Sequence, residues 1–184
     1  MLTQKKSESK EAGRLSIREP VAADGPEIYA LVERCKPLDL NSRYCYLILC
    51  EHFASTCAVV ESDEGIMALI TAYVPPARRD TLFVWQVAVD ARLRGQGMAR
   101  QLLRHLLSRQ SLKGVRYVEA TVNPSNNASR ALFRSLARES STELSEECLF
   151  SESLLGDEGH EQENLVRVGP INPVSKTLIG RCKS

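Results

Sequence analysis

The sequence predicts a single α/β domain, and three observations carry that prediction. Strand patterns and helix patterns alternate along the chain. The segment Leu82 to Val89 (LFVWQVAV) is apolar on both faces of its pleat. The segment after it sets Ala99, Leu102, Leu103 and Leu106 on one helical stripe. A strand apolar on both faces belongs inside a sheet covered on both sides, and the interleaved helices supply the cover. A chain of 184 residues can bury a sizeable core without disulfide or metal staples.

The elements follow in order. Leu15 to Arg18 reads as a short first strand that Pro20 ends. Asp24 can cap a helix in which Ile28, Leu31, Val32 and Cys35 recur at i, i+3, i+4 and i+7, and Pro37 stops it. A second helical stretch covers Arg43 to Phe53. Thr56 to Glu61 and Ile66 to Val74 read as a hairpin turning at Asp63, Glu64 and Gly65. Leu82 to Val89 is the central strand, followed by a helix from Met98 to Arg109. Val115 to Val122 is a strand with unlike faces: Val118, Ala120 and Val122 on one, Tyr117, Glu119 and Thr121 on the other. Asn126 or a neighbour caps a helix from Asn127 to Ala137, and beyond it only Asn164 to Val168 has a strand pattern. Residues 1–13 read as a disordered leader, 14–171 as the domain and 172–184 as a flexible tail.

Composition narrows the function. Lys and Arg number 24 against 23 Asp and Glu, so the chain lacks the basic excess of most nucleic-acid binders. No run of eighteen apolar residues predicts a membrane span, and the opening MLTQKKSESKEAG has no apolar stretch for a secretory signal. The six cysteines show no CxxC pair and read as reduced thiols, which places the protein in the cytoplasm. The three histidines lie far apart without metal-ligand spacing, so no metal is expected.

The strongest chemical signal is VAVDARLRGQGMARQLL, Val87 to Leu103. A buried strand runs into a turn holding Arg92, Arg94, Gly95 and Gly97, then directly into a helix. Glycines let the backbone approach an anion, and a helix start offers unpaired N–H groups and a positive dipole end. The turn suits a pyrophosphate, and it lacks the Lys-Ser or Lys-Thr ending of a P-loop. The same fragment alone also fits a plain glycine helix entry with solvated arginines.

With its context, Arg92-x-x-Gly95-x-Gly97 after a strand resembles the acetyl-CoA signature of the general N-acetyltransferase (GNAT) superfamily. Asn126-x-x-Ser129-x-x-Leu132-Phe133 stands where that family has an asparagine and a helix flanking the coenzyme. The resemblance implies a mixed central sheet flanked by helices on both faces. It implies that Val87, Ala88 and Val89 meet the pantetheine arm and that the loop of Arg92, Arg94, Gly95, Gln96, Gly97 and Met98 meets the pyrophosphate. It also places Asn126, Ser129 and Phe133 beside the coenzyme.

KPLDLNSRYCYLILCEHFASTC, TLFVWQVAV, RYVEATVNPSNNASRALF and HEQENLVRVGPI are similar, from about Arg18 to Ile171, to the diaminobutyrate acetyltransferase branch of that superfamily. This implies acetyl-CoA as cosubstrate, a small diamine as acceptor, a product leading to the osmolyte ectoine, and a homodimer. Such chemistry needs a group that takes a proton from an ammonium and groups that stabilise an oxyanion. Gln86 stands in the stretch where many members carry a glutamate base, and Phe133 where many carry a tyrosine acid.

Other residues therefore come into question. Glu119, on the polar strand face, is a candidate base or a carboxylate paired with an arginine. Asp39 is a binder of a substrate ammonium or a helix cap. Ser42 and Tyr44 offer hydroxyls to the acceptor, or only cap and pack. Trp85 is a pocket wall or core filler, and the resemblance favours the wall. His160 and Glu163 are a solvated pair by composition, while the resemblance makes both pocket residues with catalytic roles. Two other readings stay open: transfer to another small amine or a protein N-terminus, and a coenzyme-A-binding module without turnover.

Overall fold

The computed structural model describes residues 15–156 and 161–171. The expected leader and tail, and His160, lie outside the described residues. In chain order the elements are β1 (Ser16–Arg18), α1 (Gly25–Glu33), α2 (Arg43–His52), β2 (Ala58–Ser62), β3 (Gly65–Tyr73) and β4 (Thr81–Val89). Then come α3 (Met98–Leu107), β5 (Tyr117–Val122), α4 (Asn127–Glu139), β6 (Leu144–Phe150), the short α5 (Glu152–Leu155) and β7 (Glu163–Val168). One seven-stranded sheet runs β1-β2-β3-β4-β5-β7-β6. All neighbours pair antiparallel except β4 and β5, so the sheet is mixed, with β4 at its centre.

The two-faced pattern of β4 is used as its sequence implies. Leu82 and Val84 join Leu102, Leu103 and Leu106 of α3 and Phe133 of α4 in one core layer. Ala88 joins Ile28, Leu31 and Val32 of α1 and Tyr46 and Leu49 of α2 in a second layer on the opposite face. Burying each of the large aliphatic side chains contributes about 1.5–3 kcal/mol. On β5 the split faces separate as read: Val118, Ala120 and Val122 belong to the α3–α4 core, leaving Glu119 and Thr121 to the other face.

The differences from the expected elements lie mostly at ends. Thr56 falls in a short 3-10 turn (Ala54–Thr56) rather than on β2, and Val115 is a buried loop residue ahead of β5. One strand is unexpected. β6 is an outer edge strand, exposed along nearly all its length, so SSTELSEE and the residues after it carry no one-sided alternation.

Candidate active site

The register of β4 and β5 builds a cleft. Their parallel pairing covers only Thr81–Phe83 against Tyr117–Glu119. Beyond it β4 stays paired to β3 as far as Val89, and β5 stays paired to β7 as far as Val122. Each strand is held on its outer side only, so the two part into a V. At its apex β4 carries a bulge: Thr71 pairs with Gln86 and Ala72 with Val84, which leaves Trp85 as the extra residue. Trp85 is 47% exposed, an orientation that a regular core strand would not allow.

One side of the V ends in the glycine turn. Gly95 and Gly97 adopt φ of +76° and +74°, where L side chains are strained. A Cβ on Gly95 would meet no atom within 4 Å, so the space beside it is open. Among the described residues, none accepts a hydrogen bond from the amides of Gly95, Gln96, Gly97 or Met98. Together with the first turn of α3, these N–H groups can hold an anion such as a pyrophosphate. Met98 itself is buried and anchors the turn through its side chain.

Asp90 fixes the root of the turn. Its buried carboxylate accepts from the Arg92 amide (3.1 Å), from Arg92 Nε (3.0 Å) and from Arg34 Nε (3.1 Å). The Arg92 guanidinium beside it holds the Asp90 carboxyl well below the usual carboxylate range. Arg92 also pairs with Glu64 in the β2–β3 turn. Arg92 thus braces the loop through its amide and guanidinium, while its side chain stays more than half exposed. Arg94 Nε donates to the Val89 carbonyl (3.0 Å), and Gln96 Nε2 donates to the Arg92 carbonyl (2.8 Å).

On β5's side, Asn126 is the cap of α4, accepting from the Ser129 amide (3.0 Å). Its side-chain carbonyl is thereby engaged and its amide group stays available. Phe133 departs from expectation: at 2% exposure it is packed in the core and presents no surface to a coenzyme. Val87 and Val89 lie half-buried on the parted half of β4, with Ala88 turned into the α1–α2 layer.

The acceptor side is assembled by Gln86. Its Nε2 donates to the Asp39 carbonyl (2.8 Å), and its Oε1 accepts from the Tyr46 hydroxyl (3.1 Å). The amide at the position where many family members carry a glutamate base thus pins the α1–α2 loop, through the backbone of Asp39, against the residue that follows Trp85 on β4. Glu163 opens β7, and burial pushes its carboxyl above the usual range. The charges of Asp39 and Glu161 push the same way, against the Thr121 hydroxyl.

The start of β7 is tied down from two directions. Glu161 accepts from the Ser125 amide (2.9 Å), and Asn164 donates to Glu146 (2.9 Å), which Arg130 grips at 2.7 and 2.8 Å. Ser42 caps α2 by accepting from the Cys45 amide (3.2 Å), and Tyr44 is 70% exposed. Glu119 has no exposed surface; Arg78 donates to it at 2.9 Å and Arg167 pairs with the same oxygen. Fully buried and paired with two guanidiniums, Glu119 takes the ion-paired alternative, although its Oε2 accepts no hydrogen bond among the described residues.

The structure therefore brings Asp39 close enough to Glu163 for its charge to act there, with Trp85 exposed at the β4 bulge and the glycine turn at the end of β4. Sequence reasoning missed Tyr46, Asp90, Arg78 and Arg167. For Asp90 a signal existed, an aspartate two residues before an arginine at a strand end. For the rest, the partners lie about forty residues or more apart. Among the described residues no helix is long and apolar enough to cross a membrane, and no group of three or more His, Cys, Asp or Glu residues is arranged to hold a metal ion.

Comparison with known proteins adds the following. The profile of the "Acetyltransferase (GNAT) family" matches residues 25–137. An L-2,4-diaminobutyric acid acetyltransferase of Bordetella parapertussis is 48% identical over 86% of this chain and 86% of its own. One from Halalkalibacterium halodurans is 45% identical over 86% and 84%. A solved diaminobutyrate acetyltransferase EctA from Paenibacillus lautus, in complex with L-2,4-diaminobutyric acid and coenzyme A, is 38% identical. It superposes with a TM-score of 0.83 over 89% of this chain and all of that one.

Proposed function

Because the chain belongs to the acetyltransferase (GNAT) family, we propose that it transfers the acetyl group of acetyl-CoA to the γ-amine of L-2,4-diaminobutyrate. The product would be the N4-acetyl precursor of ectoine, an osmolyte made under osmotic stress in the cytoplasm. Likeness to the diaminobutyric acid acetyltransferases supports the acceptor. The observation that carries the reading is the pair of carboxylates at the mouth of the β4–β5 cleft: Asp39, whose backbone carbonyl Gln86 holds and whose charge acts on Glu163, and Glu163 at the start of β7. Such a mouth attracts a small cation with two ammonium groups.

An amine of pKa ~10.4 is neutral in only about one molecule per thousand at pH 7. Glu163 is the base we assign, since burial and neighbouring charge raise its proton affinity toward the working pH. Asp39 holds the ammonium that does not react, and Trp85 walls the acceptor. The neutral γ-nitrogen attacks the thioester carbon; the N–C bond forms, its proton passes to Glu163, and the C–S bond breaks. The coenzyme thiolate needs no side-chain acid, because a thiol of pKa near ~8.5 is a tolerable leaving group. That fits the absence of a hydroxyl on Phe133. The free amides of Gly95–Met98 hold the pyrophosphate, and the edge of β4 that β5 leaves uncovered around Val87 receives the pantetheine arm, the Val89 carbonyl already accepting from Arg94 Nε. His160 is assigned to the acceptor pocket on the resemblance.

Thiol release from acetyl-CoA tests the acceptor. Diaminobutyrate should be used more efficiently than ornithine or lysine by about 100-fold or more, because each added methylene pushes the amine about an ångström further off the attack line. Equal efficiency with lysine would favour a general amine acetyltransferase.

The same reading makes the protein a homodimer. Supporting it, β6 is an edge strand with one side unpaired, and its Leu149 and Phe150, with Leu154 and Leu155 of α5, are exposed apolar side chains.

A further inference from the structure

The sheet face carrying Phe83, Glu119, Thr121, Glu163, Leu165 and Arg167 lies opposite the α3–α4 core. The α1–α2 layer on that side packs on β2, β3 and β4. The β5–β7 half of that face is therefore not covered by α1 or α2, and its residues are half-buried apart from the fully buried Glu119.

Charge on that face is unbalanced in a useful direction. The mouth residues Asp39 and Glu163 match ammonium groups, yet an α-amino acid acceptor also brings a carboxylate that must be paired where water is excluded. The hydroxyls considered for it carry no charge: Ser42 Oγ accepts from the Cys45 amide and has only its O–H to offer, and Tyr44 is 70% exposed. Glu119 supplies an alternative. It sits fully buried between Arg78, at 2.9 Å to each oxygen, and Arg167. Two guanidiniums share one carboxylate, leaving one positive charge in surplus. The Arg167 guanidinium lies 3.8 Å over the Tyr117 ring, which fixes its plane. Arg78 keeps 46% and Arg167 33% of its side-chain surface exposed, so N–H donors of both forks remain free.

The position also suits the acceptor. Glu119 pairs with Phe83, two residues before Trp85, and lies two residues before Thr121, which faces Glu163. Two strand residues span about 7 Å, within reach of an arginine side chain, and the acceptor's carboxylate carbon lies four bonds from its γ-nitrogen. Planar, bidentate recognition of a carboxylate is the use for which arginine is suited. We infer that Arg78 and Arg167, held together by Glu119, anchor the carboxylate of the acceptor and so select amino acids over simple diamines. Glu119 is then a positioning residue. This inference rests on the diaminobutyrate reading above.

The test compares diaminobutyrate with 1,3-diaminopropane, the same diamine without the carboxylate, in wild type, Arg78→Met and Arg167→Met. The readout is the ratio of kcat/KM for the two acceptors, which a merely structural loss would not move. In each variant that ratio should fall at least tenfold, mostly through the KM for diaminobutyrate. Arg167→Lys, which keeps the charge but not the fork, should fall between. A ratio unchanged in folded variants overturns the anchor. Should Arg167→Met fail to fold, Arg78→Met carries the test alone, because Arg78 lies on the exposed β3–β4 connection. A wild type that acetylates 1,3-diaminopropane but not diaminobutyrate would instead reject the acceptor reading, and the anchor with it.

Discussion

At the scale of single residues, the account turns on Glu163. Its carboxyl is raised by burial first and by the charges of Asp39 and Glu161 after that. Activity needs the ionised form, so kcat/KM should fall with decreasing pH along a limb lying above the ordinary glutamate range. Glu163→Gln should lose about 100-fold or more in kcat and abolish that limb. The stability sign is opposite. A group whose folded pKa is raised contributes stability below its unfolded pKa and loses it as pH rises through the folded value. At neutral pH the ionised Glu163 therefore costs stability, and the glutamine variant should melt no lower than wild type. A variant that melts lower while keeping the acid limb would remove Glu163 from the chemistry.

At the scale of elements, the coenzyme loop joins β4 to α3 through two left-handed glycines and an Asp90 root clamped by Arg92 and Arg34. Gly97→Val would place a β-branched residue at φ +74°, a strain of about 1–3 kcal/mol in the bound conformation. Calorimetry should show acetyl-CoA binding weakened at least tenfold, and unchanged affinity in a folded variant would take the loop out of the site. This loop was legible in the sequence because its determinants are local: a doubly apolar strand, two glycines, then a helical stripe. The cap at Asn126 was legible for the same reason. The bulge that turns Trp85 outward was not, since it arises from the register of β3 against β4. Nor were the partners of Glu119, which come from the β3–β4 connection and from β7. β6 escaped notice because an exposed edge strand has no buried face to impose alternation.

At the scale of the whole molecule, the sheet parts where β4 and β5 stop pairing, and the proposed coenzyme and acceptor sites both depend on this one topological feature. The outer edge of the same sheet presents β6 and α5 with exposed Leu149, Phe150, Leu154 and Leu155. Light scattering should give twice the chain mass for the wild type, and Phe150→Glu combined with Leu154→Glu should shift it toward the monomer. A wild type that is monomeric at micromolar concentration would contradict the dimer. In the proposed reaction the acceptor is gripped at its amino-acid end, so that a single nitrogen meets the thioester. The measurement that tests it most directly is the NMR assignment of the product formed from diaminobutyrate and carbon-13-labelled acetyl-CoA. A product acetylated at the γ-nitrogen alone is the result this geometry predicts; acetylation at the α-nitrogen, or a mixture of the two, would contradict it.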